Sequence, residues 1–432
     1  MSLRVAITTL GCKTNQFESA AMIESLEREG FSVVPFDSVA DVYLINTCTV
    51  TARTDAESRK LIRRVKRRNP EARVVVTGCY AQVSPEQLAA MSEVGLIIGN
   101  EEKRRLAELL KSKSTSQRVI VADIGKSSKA EPLQLESFAE HTRAFLQIQN
   151  GCDSFCSYCI VPYARGRSRS VMPADVLDEI GLLARKGFKE IVLTGIHLGN
   201  YGRDLAPSSS LLSLLMEIER QALTARLRIG SLDPQDISPE FMELVAKSRT
   251  ICPHLHIPLQ SGSGSVLARM NRQYDGAFIR ELVHRLVASL PDVCIGFDVI
   301  AGFPGETDEE FSDTVKLIEE LPVSYLHVFP FSSRPGTKAA SMPGHLQGRV
   351  VTERAAVLRK LGEEKWSVYE RSFIGKELEL LFMHPIGNGA FRGLSRNYLD
   401  VHVESDRALE NSVQLITVTG VVDGRITGRI SP

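Results

Sequence analysis

Three cysteines fall within nine residues in the stretch GCDSFCSYC (151–159): Cys152, Cys156 and Cys159, spaced Cys-x3-Cys-x2-Cys. A structural zinc site closes its tetrahedron with four protein ligands, and no histidine follows here at finger-like spacing. An iron-sulfur cubane also takes four ligands, so a loop with three thiolates leaves one iron open to an outside ligand. An open iron is a place for chemistry. The plainer alternatives are an electron-transfer cluster with a remote fourth ligand, or a zinc loop closed by Cys252 or His254.

A second trio is dispersed: Cys12 in TTLGC, Cys48 in INTC and Cys79 in VTGC, each at the end of an apolar, strand-like run. Single cysteines after buried strands are commonly small core residues. Their identical placement at three strand ends favours ligands, because the carboxyl ends of strands in an open α/β sheet form one edge where ligands bind. Cys252 and Cys294, beside other strands, read as core. With eight cysteines in 432 residues and no secretory leader pattern at MSLRVAITTL, metal or redox chemistry is expected in place of a disulfide framework.

The elements that must position these residues are legible in the pattern. Residues 1–124 alternate apolar runs (LRVAITTL, ADVYLINT, ARVVVTG, GLIIG) with helical stretches, as βα units of a parallel sheet do. Residues 125–143 lack a period and read as a linker. In 144–366, six strand candidates (AFLQIQ, EIVLTG, RLRIGSL, HLHIPL, CIGFDVIAG, YLHVFPF) alternate with helices, which predicts a partial (β/α)6 barrel with its active edge at the strand C-termini. Residues 367–432 turn to short alternating segments and read as a small all-β domain. The fold class is therefore α/β with a C-terminal β-module. Lys+Arg and Asp+Glu are both 52, so any nucleic-acid contact must rest on a local patch. No run approaches eighteen apolar residues, so no membrane span is expected, and the reading is a cytoplasmic protein.

The cysteine loop, followed by VPYARG, resembles the radical S-adenosylmethionine superfamily. TLGCKTNQFES, NTCTVT, VVVTGCYAQ, LTGIHLGNYGRDL, HLHIPLQSGSGSVLARMNRQY and DVIAGFPGETDEEF resemble, in order and over nearly the whole chain, the methylthiotransferases within it. GCKTNQ, CTVTARTDAESR and TGIHLGNYGRDL are most similar to the branch acting on threonylcarbamoyladenosine in tRNA. The resemblance implies one 4Fe-4S cluster on Cys152, Cys156 and Cys159 that binds S-adenosylmethionine, and a second on Cys12, Cys48 and Cys79 whose open iron carries the sulfur. It places Tyr158 by the adenine, Thr194 and Gly195 against the methionine amino group, and Gly302 near the adenine. It implies a flavodoxin- or ferredoxin-type electron donor, and a TRAM-like domain at the C-terminus. The expected reaction puts a methylthio group on C2 of the modified adenosine 3' of the anticodon. Its rivals are isopentenyladenosine in tRNA, a ribosomal-protein aspartate, or a non-catalytic RNA-binding iron-sulfur redox sensor.

For tRNA, RKLIRRVKRR (59–68) offers seven basic side chains and no acid on a helix with an apolar stripe, and Arg63, Arg64, Arg67 and Arg68 are the expected phosphate contacts. The C-terminal module has seven Lys/Arg against eight Asp/Glu from residue 367 on, so Phe391 and Tyr398 are expected to help by stacking. Arg165 and Arg167 are expected to pair with a carboxylate or phosphate, and QSGSG (260–264) reads as a weak anion or ribose loop.

Overall fold

Branched apolar runs buried on both faces favour parallel strands, and the N-terminal region builds a sheet of them. The computed structural model describes residues 2–112, 117–127, 142–387 and 389–431. Strands β1 (Arg4–Thr9), β2 (Ser32–Val34), β3 (Val42–Thr47), β4 (Arg73–Gly78), β5 (Leu96–Ile98) and β6 (Arg118–Ile120) form one sheet in the order β2-β1-β3-β4-β5-β6. Every neighbouring pair is parallel. Alternate residues face opposite sides, as pleating requires. Ala6, Tyr43, Ile45, Val74 and Val76 enter one apolar cluster, while Val5, Val42, Leu44 and Val75 enter the other. The short strands β2 and β6, three residues each, are absent from the sequence reading.

Helix α1 (Lys13–Arg28) starts directly after Cys12, and α2 (Ala52–Arg68) starts after Thr51, whose hydroxyl accepts the Thr54 N–H at 3.2 Å. A five-residue helix, Cys79–Val83, follows β4. The three early cysteines thus occupy strand-to-helix turns on β1, β3 and β4, which are neighbours in the sheet.

The chain divides into two compact units. The first holds the described residues up to 127 together with Gln147–Val171, which carries the cysteine loop, and Ser332–Ser341. The second holds residues 142–146, Met172–Phe331 and 342–431. The linker read at 125–143 lies mostly outside the described residues.

Strand β7 (Arg143–Gln147) precedes a two-stranded antiparallel hairpin, β8 (Gln149–Asn150) and β9 (Arg169–Ser170), that brackets the cysteine loop. In the second unit, β10 (Glu190–Thr194) and β11 (Arg226–Ile229) give the sheet β11-β10-β7, while β12 (His254–Gln260), β13 (Cys294–Ala301) and β14 (Tyr325–Pro330) give a second three-stranded sheet. Isolated parallel bridges at Leu227↔Ile251 and Ser231↔His256 connect them, so the six strands follow chain order as a partial barrel. A closed five-stranded barrel follows: β15 (Glu377–Gly387), β16 (Ala390–Ser395), β17 (Asp400–Glu404), β18 (Val413–Val422) and β19 (Arg425–Ile430), with β19 between β17 and β18.

The second unit is locked by charge. Glu190, fully buried, receives Arg143 at 2.6 Å and Arg228 at 2.9 Å, with Arg226 at 3.0 Å. Arg226 and Arg228 also donate to the carbonyls of Leu394, Ser395 and Arg396, tying the β-module to the partial barrel. Among the described residues no helix is long and apolar enough to cross a membrane.

Candidate functional site

The first unit holds both cysteine trios. Cys12, Cys48 and Cys79 are drawn together by two backbone positions that only glycine fills. Gly11 has φ +103°, and a Cβ there would lie 2.6 Å from Cys48 Cβ and 2.9 Å from its Sγ. Gly78 has φ +95°, and a Cβ there would stand 2.2 Å from the Thr47 carbonyl oxygen. Among the described residues no cysteine is joined in a disulfide, and Cys12 is exposed while Cys48 is buried. Burial, then the neighbouring Cys79 and Cys12, push the Cys48 thiol up to about 12. Three thiols at one sheet edge are the donor chemistry of a thiolate-bound iron cluster, in which iron takes the place of the thiol protons.

The loop carrying Cys152, Cys156 and Cys159 is closed by similar means. Gly151 has φ +73°, and a Cβ there would meet the Arg167 carbonyl oxygen at 1.8 Å. Cys152 N–H donates to the Gly166 carbonyl at 3.0 Å, and Cys159 N–H to the Cys156 carbonyl at 2.9 Å. All three cysteines are part-exposed, so their thiols remain within reach of a cofactor. These residues fit a three-thiolate cluster with one open iron. Tyr158, half-buried, lies inside this loop.

One arginine joins the two cysteine regions. Arg165, on the short helix after Cys159, is buried and donates to both Glu18 carboxylate oxygens and to the Asn15 side-chain oxygen, on the first turns of α1 after Cys12. Lys103, also buried, donates to the same Glu18 carboxylate. Two cations facing one carboxylate leave a net positive charge, and Arg165 is in electrostatic contact with Cys79 and Cys12. The expectation that Arg165 pairs with a carboxylate therefore holds, with an acid 147 residues away that sequence spacing gave no means to find. Arg167 makes an exposed pair with Asp153 at 3.2 Å.

Burial alone would raise the Glu18 carboxyl, but Arg165 and Lys103 hold it down to about 2. Because this lies below the ordinary glutamate value of 4.5, the stability it contributes is complete above about pH 4.5 and disappears as pH falls toward 2. Thermal midpoints measured across that window should fall for the native chain and change less for Glu18→Gln.

The Cys48 turn has its own brace. Thr49 donates to Asp55 at 2.7 Å, and Arg334, from the segment Ser332–Ser341, donates to Thr49 at 2.6 Å and to Asp55.

In the second unit, Thr194 ends β10 and Gly195 follows it, and the Thr194 hydroxyl donates to the Leu146 carbonyl at 3.2 Å. Gly302 follows β13 at φ +80°, and the close approach that requires glycine there is to Val351, 2.7 Å from an added Cβ. Gln260–Gly264 spends polar groups internally, since the Gly262 N–H donates to Thr314 at 2.9 Å and the Ser263 N–H to Ser261. Cys252 and Cys294 are buried core residues, as expected. His254, weighed as a zinc ligand, is 2.9 Å from the Tyr325 hydroxyl.

Arg63, Arg64 and Arg67 are exposed on α2, with Arg63 3.8 Å from Glu93 and Arg64 3.3 Å from Asp37. Arg68 is half-buried and engaged, donating to the Phe36 carbonyl at 2.8 Å and to Asp37 at 2.9 Å. The stacking role read for Phe391 and Tyr398 is corrected. Phe391 belongs to the core of the β-module, and Tyr398 stacks on the His254 ring at 4.0 Å, with the Arg228 guanidinium 5.2 Å from the Tyr398 ring centre. Alternation along β16 turned Phe391 inward.

Residues 146–318 match the Radical SAM superfamily, and residues 4–99 match the family described as Uncharacterized protein family UPF0004. The chain is 38% identical over 416 residues, 96% of its length and 100% of the relative, to the threonylcarbamoyladenosine tRNA methylthiotransferase MtaB of Aquifex aeolicus. The chain belongs to the radical SAM methylthiotransferases. This methylthiotransferase is also 40% identical to the protein of the same name from Bacillus subtilis, over 92% of its own length and 89% of the relative. Among solved structures, the radical S-adenosylmethionine methyltransferase TsrM of Kitasatospora setae matches with a TM-score of 0.54 at 18% identity, covering 79% of this chain and 77% of that one, a likeness of fold. Membership of the superfamily brings a 4Fe-4S cluster and S-adenosylmethionine to the methylthiotransferase.

Proposed function

We propose that this chain transfers a methylthio group to C2 of N6-threonylcarbamoyladenosine, 3' of the anticodon in tRNA. The observation that carries the reading is near-full-length similarity to relatives named for that substrate, in a chain whose first unit gathers two separate cysteine trios. The radical-SAM cluster is assigned to Cys152, Cys156 and Cys159, and a second 4Fe-4S cluster to Cys12, Cys48 and Cys79. When bound, the first cluster with S-adenosylmethionine supplies one-electron cleavage of the sulfonium and hence a carbon-centred radical.

The chain's own residues fix geometry and charge. Gly11, Gly78 and Gly151 allow the thiols to approach. Arg165 and Lys103 offset the negative charge that thiolates and a sulfur ligand bring. Tyr158, Thr194, Gly195 and Gly302 are assigned to S-adenosylmethionine contacts. A flavodoxin- or ferredoxin-type protein supplies the electron, and a tRNA substrate places the enzyme in the cytoplasm.

Arg63, Arg64 and Arg67 are assigned to tRNA phosphates. Replacing all three with glutamine should weaken tRNA binding and flatten the slope of log affinity against log salt by up to about one unit per arginine. A filter-binding series in rising KCl reads this directly, and an unchanged slope would remove α2 from the RNA surface. The substrate assignment is tested by mass spectrometry of tRNA nucleosides from a deletion strain with and without this chain. The methylthio form of threonylcarbamoyladenosine should disappear and return. Loss of the methylthio form of isopentenyladenosine instead, or of a modified ribosomal-protein aspartate, would reassign the substrate.

A further inference from the structure

Interior layers of a (β/α) barrel are ordinarily filled by branched apolar side chains. In the second unit, three successive strands instead present a polar layer. Among the described residues, His256, Asp298 and His327 are the one group of three His, Cys, Asp or Glu side chains whose ligand atoms all lie within 4.8 Å of one another. His256 is on β12, Asp298 on β13 and His327 on β14, with Asp298 and His327 paired in register. His256 Nε2 stands 2.8 Å from Asp298 Oδ1, and His327 Nδ1 stands 3.4 Å from the same oxygen. Donors that share one ion at about 2.0–2.2 Å are themselves about 2.9–3.5 Å apart, so these separations already approximate a common coordination sphere.

The surroundings are built to hold that arrangement. The Tyr325 hydroxyl lies 2.9 Å from His256 Nδ1 and 2.9 Å from His254 Nε2. It fixes the His256 ring through the nitrogen that does not face Asp298, as outer partners of metal-bound histidines do. The Tyr325 ring gets there only because residue 296, its register partner on β13, is glycine: a Cβ would lie 2.0 Å from the ring. Asp298 and His256 are largely enclosed, with side-chain exposures of 21% and 12%, whereas His327 is 56% exposed. One side of the group is therefore open to water or to another oxygen donor.

We propose that His256, Asp298 and His327 form a binding site for a divalent first-row transition-metal ion, with Tyr325 as the positioning residue for His256. Two imidazoles and one carboxylate with an open side are the donor set that such ions accept. The site shares no residue with either cysteine trio.

The test is Mn²⁺ binding to the full-length, cluster-loaded protein, read by the EPR signal of free Mn²⁺. Manganese favours oxygen and nitrogen donors over thiolate, so residual free cysteines compete poorly. The native chain should take up one Mn²⁺, and His327→Ala and Asp298→Asn should each raise Kd roughly tenfold or more, with Tyr325→Phe raising it about tenfold through loss of the outer hydrogen bond. His327 is exposed, so its variant should fold even if Asp298→Asn does not. Equal binding by the native chain and His327→Ala, or no uptake by the native chain at roughly millimolar Mn²⁺, would overturn the proposal and leave a hydrogen-bonded imidazole–carboxylate group.

Discussion

Cys156→Ala is expected to lower formation of 5'-deoxyadenosine from S-adenosylmethionine and dithionite by about a thousandfold or more, equivalent to some 4 kcal/mol of barrier. Cys156 is the middle of three part-exposed thiols in a loop whose turns are set by Gly151 and by the Cys159 to Cys156 hydrogen bond. With one thiol gone, two protein ligands remain for a cluster that needs three, and the cofactor has no fixed iron to bind. Cys48→Ala provides the contrast. It removes a thiol from the other trio and should leave 5'-deoxyadenosine formation largely intact while abolishing methylthio transfer to tRNA. Anaerobic assays of both products separate the two trios' roles. If Cys48→Ala stopped cleavage as completely as Cys156→Ala, the two sites would not be functionally distinct. If the native chain made no 5'-deoxyadenosine at all, the redox-sensor reading would take its place.

The second large effect falls on stability. Glu18→Gln should destabilise the first unit by about 3–5 kcal/mol, because it leaves Arg165 and Lys103 buried together without their counter-charge. Arg165→Met should cost less, since Lys103 still neutralises Glu18. Both losses exceed what the intact group adds over an apolar core, because desolvation offsets most of the attraction. Denaturant unfolding of the three proteins checks the order. Since Glu18 and Asn15 lie on the turns of α1 after Cys12, Glu18→Gln should also reduce iron retained at the early trio. A Glu18→Gln chain as stable as the native one would mean that Arg165 and Lys103 find other partners.

The fold was readable wherever the period was long. Buried runs such as VYLINT announced the parallel sheet, and six strand–helix alternations announced the partial barrel. The cysteine positions were readable for a related reason, since strand ends in a parallel sheet share an edge and β1, β3 and β4 are neighbours there. Side-chain pairing across distant segments was not readable. Arg165 finds Glu18 only after folding brings the cysteine loop to α1, and nothing in the spacing of PYARG names that acid. His256, Asp298 and His327 escaped notice because they lie on three separate strands, and their meeting depends on strand register. Phe391 and Tyr398 were misread because composition does not say which way a ring points in a small barrel.

Iron counting with Mössbauer spectroscopy on the anaerobically reconstituted chain tests directly whether each trio holds its own cluster. Two 4Fe-4S clusters predict about eight irons per native chain, and about four in the Cys12→Ala, Cys48→Ala, Cys79→Ala triple variant with the remaining four still binding S-adenosylmethionine. About four irons in the native chain, unchanged by that triple replacement, would contradict that assignment.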